Sequence, residues 1–352
     1  MQIQPETRKL QKVGHSTLSV SLPSRWVKEN HLNRGDSVFF MEQNDGSLKV
    51  FPNELIEPKE VSEEYICNVD LCMDAKMLER VIVGNYILGR DIFSLISSER
   101  ISAEHIEEAR GILRKLIGLG IVEETSDHIT LQCSVDPRKF QIDMLLRRLS
   151  IISLTIVKEA VKALVDSDES LAQAAIDRED EADMMFLLAM RLLVSAQRKR
   201  QVAEEIGLTD PMHILYFGLM LRYLELIADY AEEIARRVIE LIQKYKDRLP
   251  REVVERINNL NDLAHDLVLK SIDAFFIGDI KIANSFLEML SFIEIERDRM
   301  MEELPELPHL RGILWDINRI ADNGAGIALI AINNTLERKT EICSKRWSIK
   351  SK

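Results

Sequence analysis

The segment LRYLELIADYAEEI at 221–234 returns ninety-three residues later as LWDINRIADNGAGI at 314–327. Leu221, Ile227, Ala228, Asp229 and Ile234 correspond to Leu314, Ile320, Ala321, Asp322 and Ile327. Self-similarity at a fixed offset means one structural unit built twice. From Asp136-Pro137 onward the apolar period is helical throughout, with helices expected near 137–166, 169–199, 211–246, 250–277, 279–303 and 308–338. Pro211, Pro250 and Pro308 each fall near a helix start, where a missing N–H does little harm. Thirty residues make a rod ~45 Å long, and short connections favour antiparallel neighbours. The repeat therefore divides this region into two tandem three-helix bundles, 136–246 and 250–338.

The repeated frame carries acids at an awkward place. Glu225 and Asp229 lie one turn apart at the border of the apolar face, where like charges cost an isolated helix ~0.2–0.5 kcal/mol per pair. The second helix of each bundle has its own pair, Glu179-x-x-x-Asp183 in IDREDEADMMF and Glu294-x-x-x-Asp298 in FIEIERDRMM. In the second bundle's third helix the pair is Asn318 and Asp322. Carboxylates on neighbouring helices can converge on a hard or borderline cation such as Mg, Mn, Fe or Zn. In the rival reading, bases such as Arg222 and Arg236 neutralise the stripe as an ion-paired, solvated face. Asn318 is a weaker ligand than a carboxylate, so the first bundle is expected to bind more tightly. His265, three residues after Asp262, reads as a surface histidine, and MMFLLAM (184–190) as core. Glu306-x-x-His309 stands alone across the Pro308 helix start, so the paired Glu-x-x-His pattern of di-iron bundles is absent, and the sequence has no GxSxG, HExxH or phosphate-binding loop.

Two smaller regions precede the bundles. Residues 7–51 alternate in the strand manner at LSVSL (18–22), SVFFME (37–42) and GSLKVF (46–51), the last after an Asp45-Gly46 hairpin signal. Between them PSRWVKEN makes about two helical turns, with Pro23 at an early position and Asn30 at the end. So few strands cannot bury a core alone, and pairing with a second chain is the physical remedy. Residues 61–135 alternate strand and helix: EYICNV, then the helix AKMLERVIVGNYIL, the strand DIFSLIS, a helix capped by Ser102, and the hairpin GIVEETSDHITLQ. That is a small α+β domain, although its last helix and hairpin also resemble a winged-helix wing.

Charge limits where nucleic acid can bind. Residues 1–52 carry seven bases against five acids, and the tail from Arg338 carries six bases against one. With −12 over the whole chain, the segment between them holds −19, so contact with DNA is expected only at the ends. The tail SKRWSIKSK reads as a solvated end. The longest apolar runs fall short of the ~18–20 residues of a membrane helix. The opening MQIQPETRKL has no apolar signal core, and the four scattered cysteines read as reduced thiols. A cytoplasmic protein without membrane insertion is expected.

RKLQKVGHSTLSVSLPSRWVKENHLNRGDSVFFMEQNDGSLKV resembles the AbrB (SpoVT/AbrB) swapped-hairpin domain, in which two chains interleave hairpins and basic side chains of the dimer meet DNA. The resemblance implies a homodimer binding double-stranded DNA through residues 1–55, with Arg8, Lys9, Lys12, Arg25 and Lys28 as candidate contacts. The acidic signature on tandem bundles, sharpest in RYLELIADYAEEIA and NRIADNGAGIA, resembles the PhoU family of phosphate-uptake regulators. That resemblance implies metal sites at Glu179, Asp183, Glu225, Asp229, Glu294, Asp298 and Asp322. The middle segment resembles the linking piece of AbrB–PhoU fusion regulators, which assigns it no activity. The fold class expected is multidomain: a small all-β swapped-hairpin domain, a small α+β middle domain, and an all-α PhoU-like region of two three-helix bundles ahead of a basic tail, 339–352. The function implied is a phosphate-responsive, non-enzymatic transcriptional regulator. One alternative is an adaptor of a phosphate transporter or signalling kinase whose head only dimerises. The other is a metal-dependent phosphate-ester hydrolase.

Overall fold

The computed structural model describes residues 7–14, 17–42, 47–52, 65–245, 250–303 and 307–343. The Asp45-Gly46 turn and most of the basic tail lie outside them. The chain divides into two compact units, Met1–Glu63 and Glu64–Lys352.

In the first unit, β1 (Gln11–Val13) pairs antiparallel with β2 (Thr17–Ser19), and β3 (Phe39–Glu42) with β4 (Leu48–Phe51). The strand expected over 18–22 ends early, because the chain must reach α1 (Ser24–Glu29), for which Pro23 is the extended N-cap and not a helical residue. The two hairpins do not share a sheet, and no described residue of this unit is buried. Leu18 and Leu48 are 62% and 64% exposed. These strand side chains stand largely open among the described residues.

The second unit opens with an α/β module. Its elements are β5 (Tyr65–Asn68), α2 (Met77–Ile87), β6 (Ile92–Ile96), α3 (Ala103–Leu113), β7 (Leu119–Glu124) and β8 (His128–Cys133). The sheet order is β5-β6-β8-β7, with β5 parallel to β6 and the rest antiparallel. β8 is paired on both sides, so the last hairpin is part of a four-stranded sheet that includes the parallel pair β5 and β6. Ser102 caps α3 through the amide of His105, as expected. Leu78, Ile82, Tyr86, Phe93, Leu95, Ile129 and Leu131 fill the module's core, which Leu187 of the next region joins.

Among the described residues seven helices follow: α4 (Ile142–Asp166), α5 (Glu169–Arg198), α6 (Arg200–Glu205), α7 (Pro211–Tyr245), α8 (Arg251–Ile277), α9 (Ile280–Glu303) and α10 (Pro308–Leu336). The first begins five residues later than the periodicity predicts. Pro137–Lys139 form a single 3₁₀ turn closed by the Asp136 carboxylate on the Arg138 amide. The short α6 was not anticipated; its end is tied to the start of α4 by a bond from the Ile142 amide to the Ile206 carbonyl, 3.1 Å. Helices α4, α5 and α7 pack as one bundle and α8, α9 and α10 as a second. The two join through α7 against α10 and α4 against α8, so one core runs through both. Gly324 permits the close approach of α10 to α8: a Cβ there would lie 2.5 Å from Leu267 Cδ2 and 3.2 Å from Val268 Cα. His265, read as a surface residue, is buried in α8, and burial lowers its pKa. Its position on the apolar stripe outweighs its polarity.

The end of α2 is fastened to α5. Helix α2 ends in a turn at Gly89, φ +73, where a Cβ would meet Ser195 Oγ at 2.5 Å. Carbonyls at and just past that helix end accept from α5: Arg191 Nη1 donates to Tyr86 O at 2.7 Å and Arg90 O at 3.1 Å, and Arg198 Nη1 to Leu88 O at 2.7 Å. Two guanidinium groups therefore cap the negative end of one helix from the flank of another.

Candidate metal centre

Three of the predicted acids meet between α5 and α7. One carboxylate oxygen each from Glu179, Asp183 and Asp229 lies within 4.8 Å of the other two. Glu179 and Asp183 stand one turn apart on α5, and Asp229 faces them from α7. The flanking buried positions are small, Ala175 and Ala182 on α5 and Ala228 and Ala231 on α7, which lets the two helices run close. Glu179 is buried and the other two half-buried.

Glu179 and Asp229 resist ionisation in this setting. Burial, reinforced by Asp183, holds Glu179 well above the ordinary glutamate range. Burial and then the Asp183 charge push Asp229 up to about 6. Glu225, the fourth acid expected here, is drawn away. Arg222 on its own helix donates to both its carboxylate oxygens at 2.6 and 2.7 Å, yet burial and Asp229 still push it up to about 7. Glu225 stands in an ion pair with Arg222 beside the group of three.

The site also contains a cation that sequence reasoning missed. Lys115, from the turn between α3 and β7, places its ammonium 2.6 Å from Asp180 Oδ1 and 3.0 Å from Asp183 Oδ2. Burial works against the ammonium, but the bonds to Asp180 and Asp183 outweigh it and raise its pKa. Nothing in RKLIGLG points at a helix sixty-five residues on. Carboxylate donors around one point, with an ammonium already neutralising one of them, fit a hard or borderline divalent cation. Ligand oxygens about such an ion at ~2.1 Å lie up to ~4.2 Å apart, so small side-chain rotations close the set.

Residues 146–238 match the family model of the PhoU domain. All three converging acids, and Glu225, fall inside that stretch. Among solved structures, the crystal structure of PhoU from Pseudomonas aeruginosa is 23% identical over 55% of this chain and 94% of that one, with a TM-score of 0.48. A comparison with curated proteins finds no match.

Among the described residues, the second bundle does not repeat the cluster. Glu294 is half-buried on α9, while Asp298 is exposed and bonded by its neighbour Arg297 at 2.7 Å. Asp322 accepts from Arg319 at 3.1 Å and from Asn318 Nδ2 at 3.3 Å. Among the described residues, Glu294, Asp298 and Asp322 join no group of three metal-binding side chains. The Asn318 amide bonds Asp322, whereas its counterpart in the first bundle, Glu225, repels Asp229. In the first unit, Arg8, Lys9, Lys12, Arg25 and Lys28 are all exposed, and Arg25 is paired with Glu29 at 2.6 Å. No helix among the described residues is long and apolar enough to cross a membrane.

Proposed function

We propose that this chain is a non-enzymatic regulator of phosphate uptake whose PhoU-like body binds a divalent cation through Glu179, Asp183 and Asp229. The observation that carries the reading is the convergence of those three carboxylates, from two helices, within the stretch matched to the PhoU domain. The metal would supply positive charge that offsets most of the charge of the three acids and would tie α5 to α7. Because it binds only the folded protein, saturating Mn²⁺ is expected to stabilise the chain by about 2.7 kcal/mol at a hundred times its dissociation constant. Asp229→Ala should abolish that gain. A melting curve that Mn²⁺ does not move, in protein shown by elemental analysis to be metal-free, rules the reading out.

The head, in this reading, dimerises through its two open hairpins and meets operator DNA with its exposed bases. Its unburied strand side chains support the dimer. A head that only dimerises is the second reading, favoured by the Arg25–Glu29 pair, which offsets one of the few bases available for phosphate. Replacing Arg8, Lys12 and Arg25 together with Glu separates the two. If the head binds DNA, the variant remains dimeric but no longer retains the fragments that wild type enriches across the genome. Unchanged enrichment assigns DNA recognition elsewhere, and no enrichment by wild type assigns the adaptor role.

A further inference from the structure

Lys115 belongs to the α/β module, yet its ammonium ends among the carboxylates of α5. Its neighbour Leu116 is buried in the module's core, which fixes the backbone of the turn, and the flexible four-carbon stem covers the remaining distance. The module does not need this contact to stay in place. Arg191 and Arg198 hold the end of α2, and Leu187 packs into the module's core. The ammonium can therefore leave without undocking anything.

Resting on the metal reading above, we propose that Lys115 is a tethered competitor for the cation site, holding Asp183 in the metal-free protein and being expelled into solvent when a divalent ion enters. Asp183 cannot serve both at full strength. An ammonium at 3.0 Å occupies Oδ2 of Asp183, and a doubly charged ion on the same carboxylate repels it. Asp180, 60% exposed at its side chain, pairs with Lys115 from outside the cluster and gives it a second anchor. The α/β module thereby acquires a role: it sets the metal concentration at which the bundle loads, and its turn at Lys115 changes surface charge when loading occurs.

The test uses the full chain and Mn²⁺. Calorimetric titration of wild type and Lys115→Met is run beside acetic anhydride labelling of wild type, read at Lys115 by mass spectrometry with and without the ion. Loss of the competing charge is expected to tighten Mn²⁺ binding about tenfold or more. Saturating Mn²⁺ is expected to raise Lys115 acetylation severalfold while Lys76 and Lys270 stay constant. Equal affinities, or Lys115 labelling that Mn²⁺ leaves unmoved, overturn the competition and leave the metal site standing. If neither protein binds Mn²⁺, the metal reading fails and the competition with it. Should Lys115→Met not fold, the labelling of wild type decides.

Discussion

Arg191→Ala is expected to cost the chain about 3–4 kcal/mol, the range for removing a buried charged group whose partners are left unpaired. Arg191 is 3% exposed in the middle of α5, and its guanidinium lies 5.0 Å from the Tyr86 ring as well as capping the end of α2. Deletion leaves the Arg90 carbonyl without that donor, weakens the set on Tyr86 O, and opens a cavity between module and bundle. It also breaks the pairing with Asp91. Arg191→Lys keeps the charge but cannot reach two carbonyls and a carboxylate at once, and recovers only part of the loss. The loss should appear as a lower urea midpoint and as faster amide exchange through Met77–Ile87. A shift below about 1 kcal/mol, with exchange in α2 unchanged, shows that the module is held by its apolar contacts alone.

The metal-free chain is expected to lose on the order of 2–4 kcal/mol of stability between pH 5 and pH 8. Glu225 near 7, Asp229 and Asp316 near 6, and the raised Glu179 all hold protons more tightly when folded than when unfolded. For Asp316 the cause is burial, which the facing Arg237 only partly offsets. A raised carboxyl contributes stability that is fully present below its unfolded pKa, near ~4, and is lost as pH rises through the folded value. The window is therefore about pH 4 to 8, the reverse of ordinary acid denaturation. Asp229→Asn removes one of these groups and relieves the others, so in chelator at pH 8 it should melt above wild type. With metal bound the dependence turns over, because each ligand must shed its proton. Melting curves in chelator that rise steadily from pH 5 to pH 8 would falsify the assignment of this cluster as a strained, cation-seeking set.

The long helices were legible because their period extends over many turns and because prolines and acids mark their ends. The prediction missed where local polar chemistry diverted the chain, as at Asp136, whose carboxylate stabilises a 3₁₀ turn and delays α4 to Ile142. In the α/β module every strand and helix was visible from its own residues. The order β5-β6-β8-β7 was not, since pairing of β6 with β8 depends on contacts thirty-six residues apart, such as Ser94 with Thr130.

At the site, spacing alone placed Glu179 with Asp183 and Glu225 with Asp229, since residues four apart on a helix share a face whatever surrounds them. The repeat likewise marked Asp229 and Asp322 as equivalent before any fold was known. Which acids meet was decided by how α5 packs on α7, and that packing brought Asp229 to the α5 pair while Arg222 kept Glu225 for itself. Lys115 reaches the cluster only because the module's core fixes its turn beside α5. A helix's own period is a property of a few consecutive residues and is written in them. The convergence of charges from three elements is set by side-chain volumes throughout a shared core, so no short stretch of the sequence contains it.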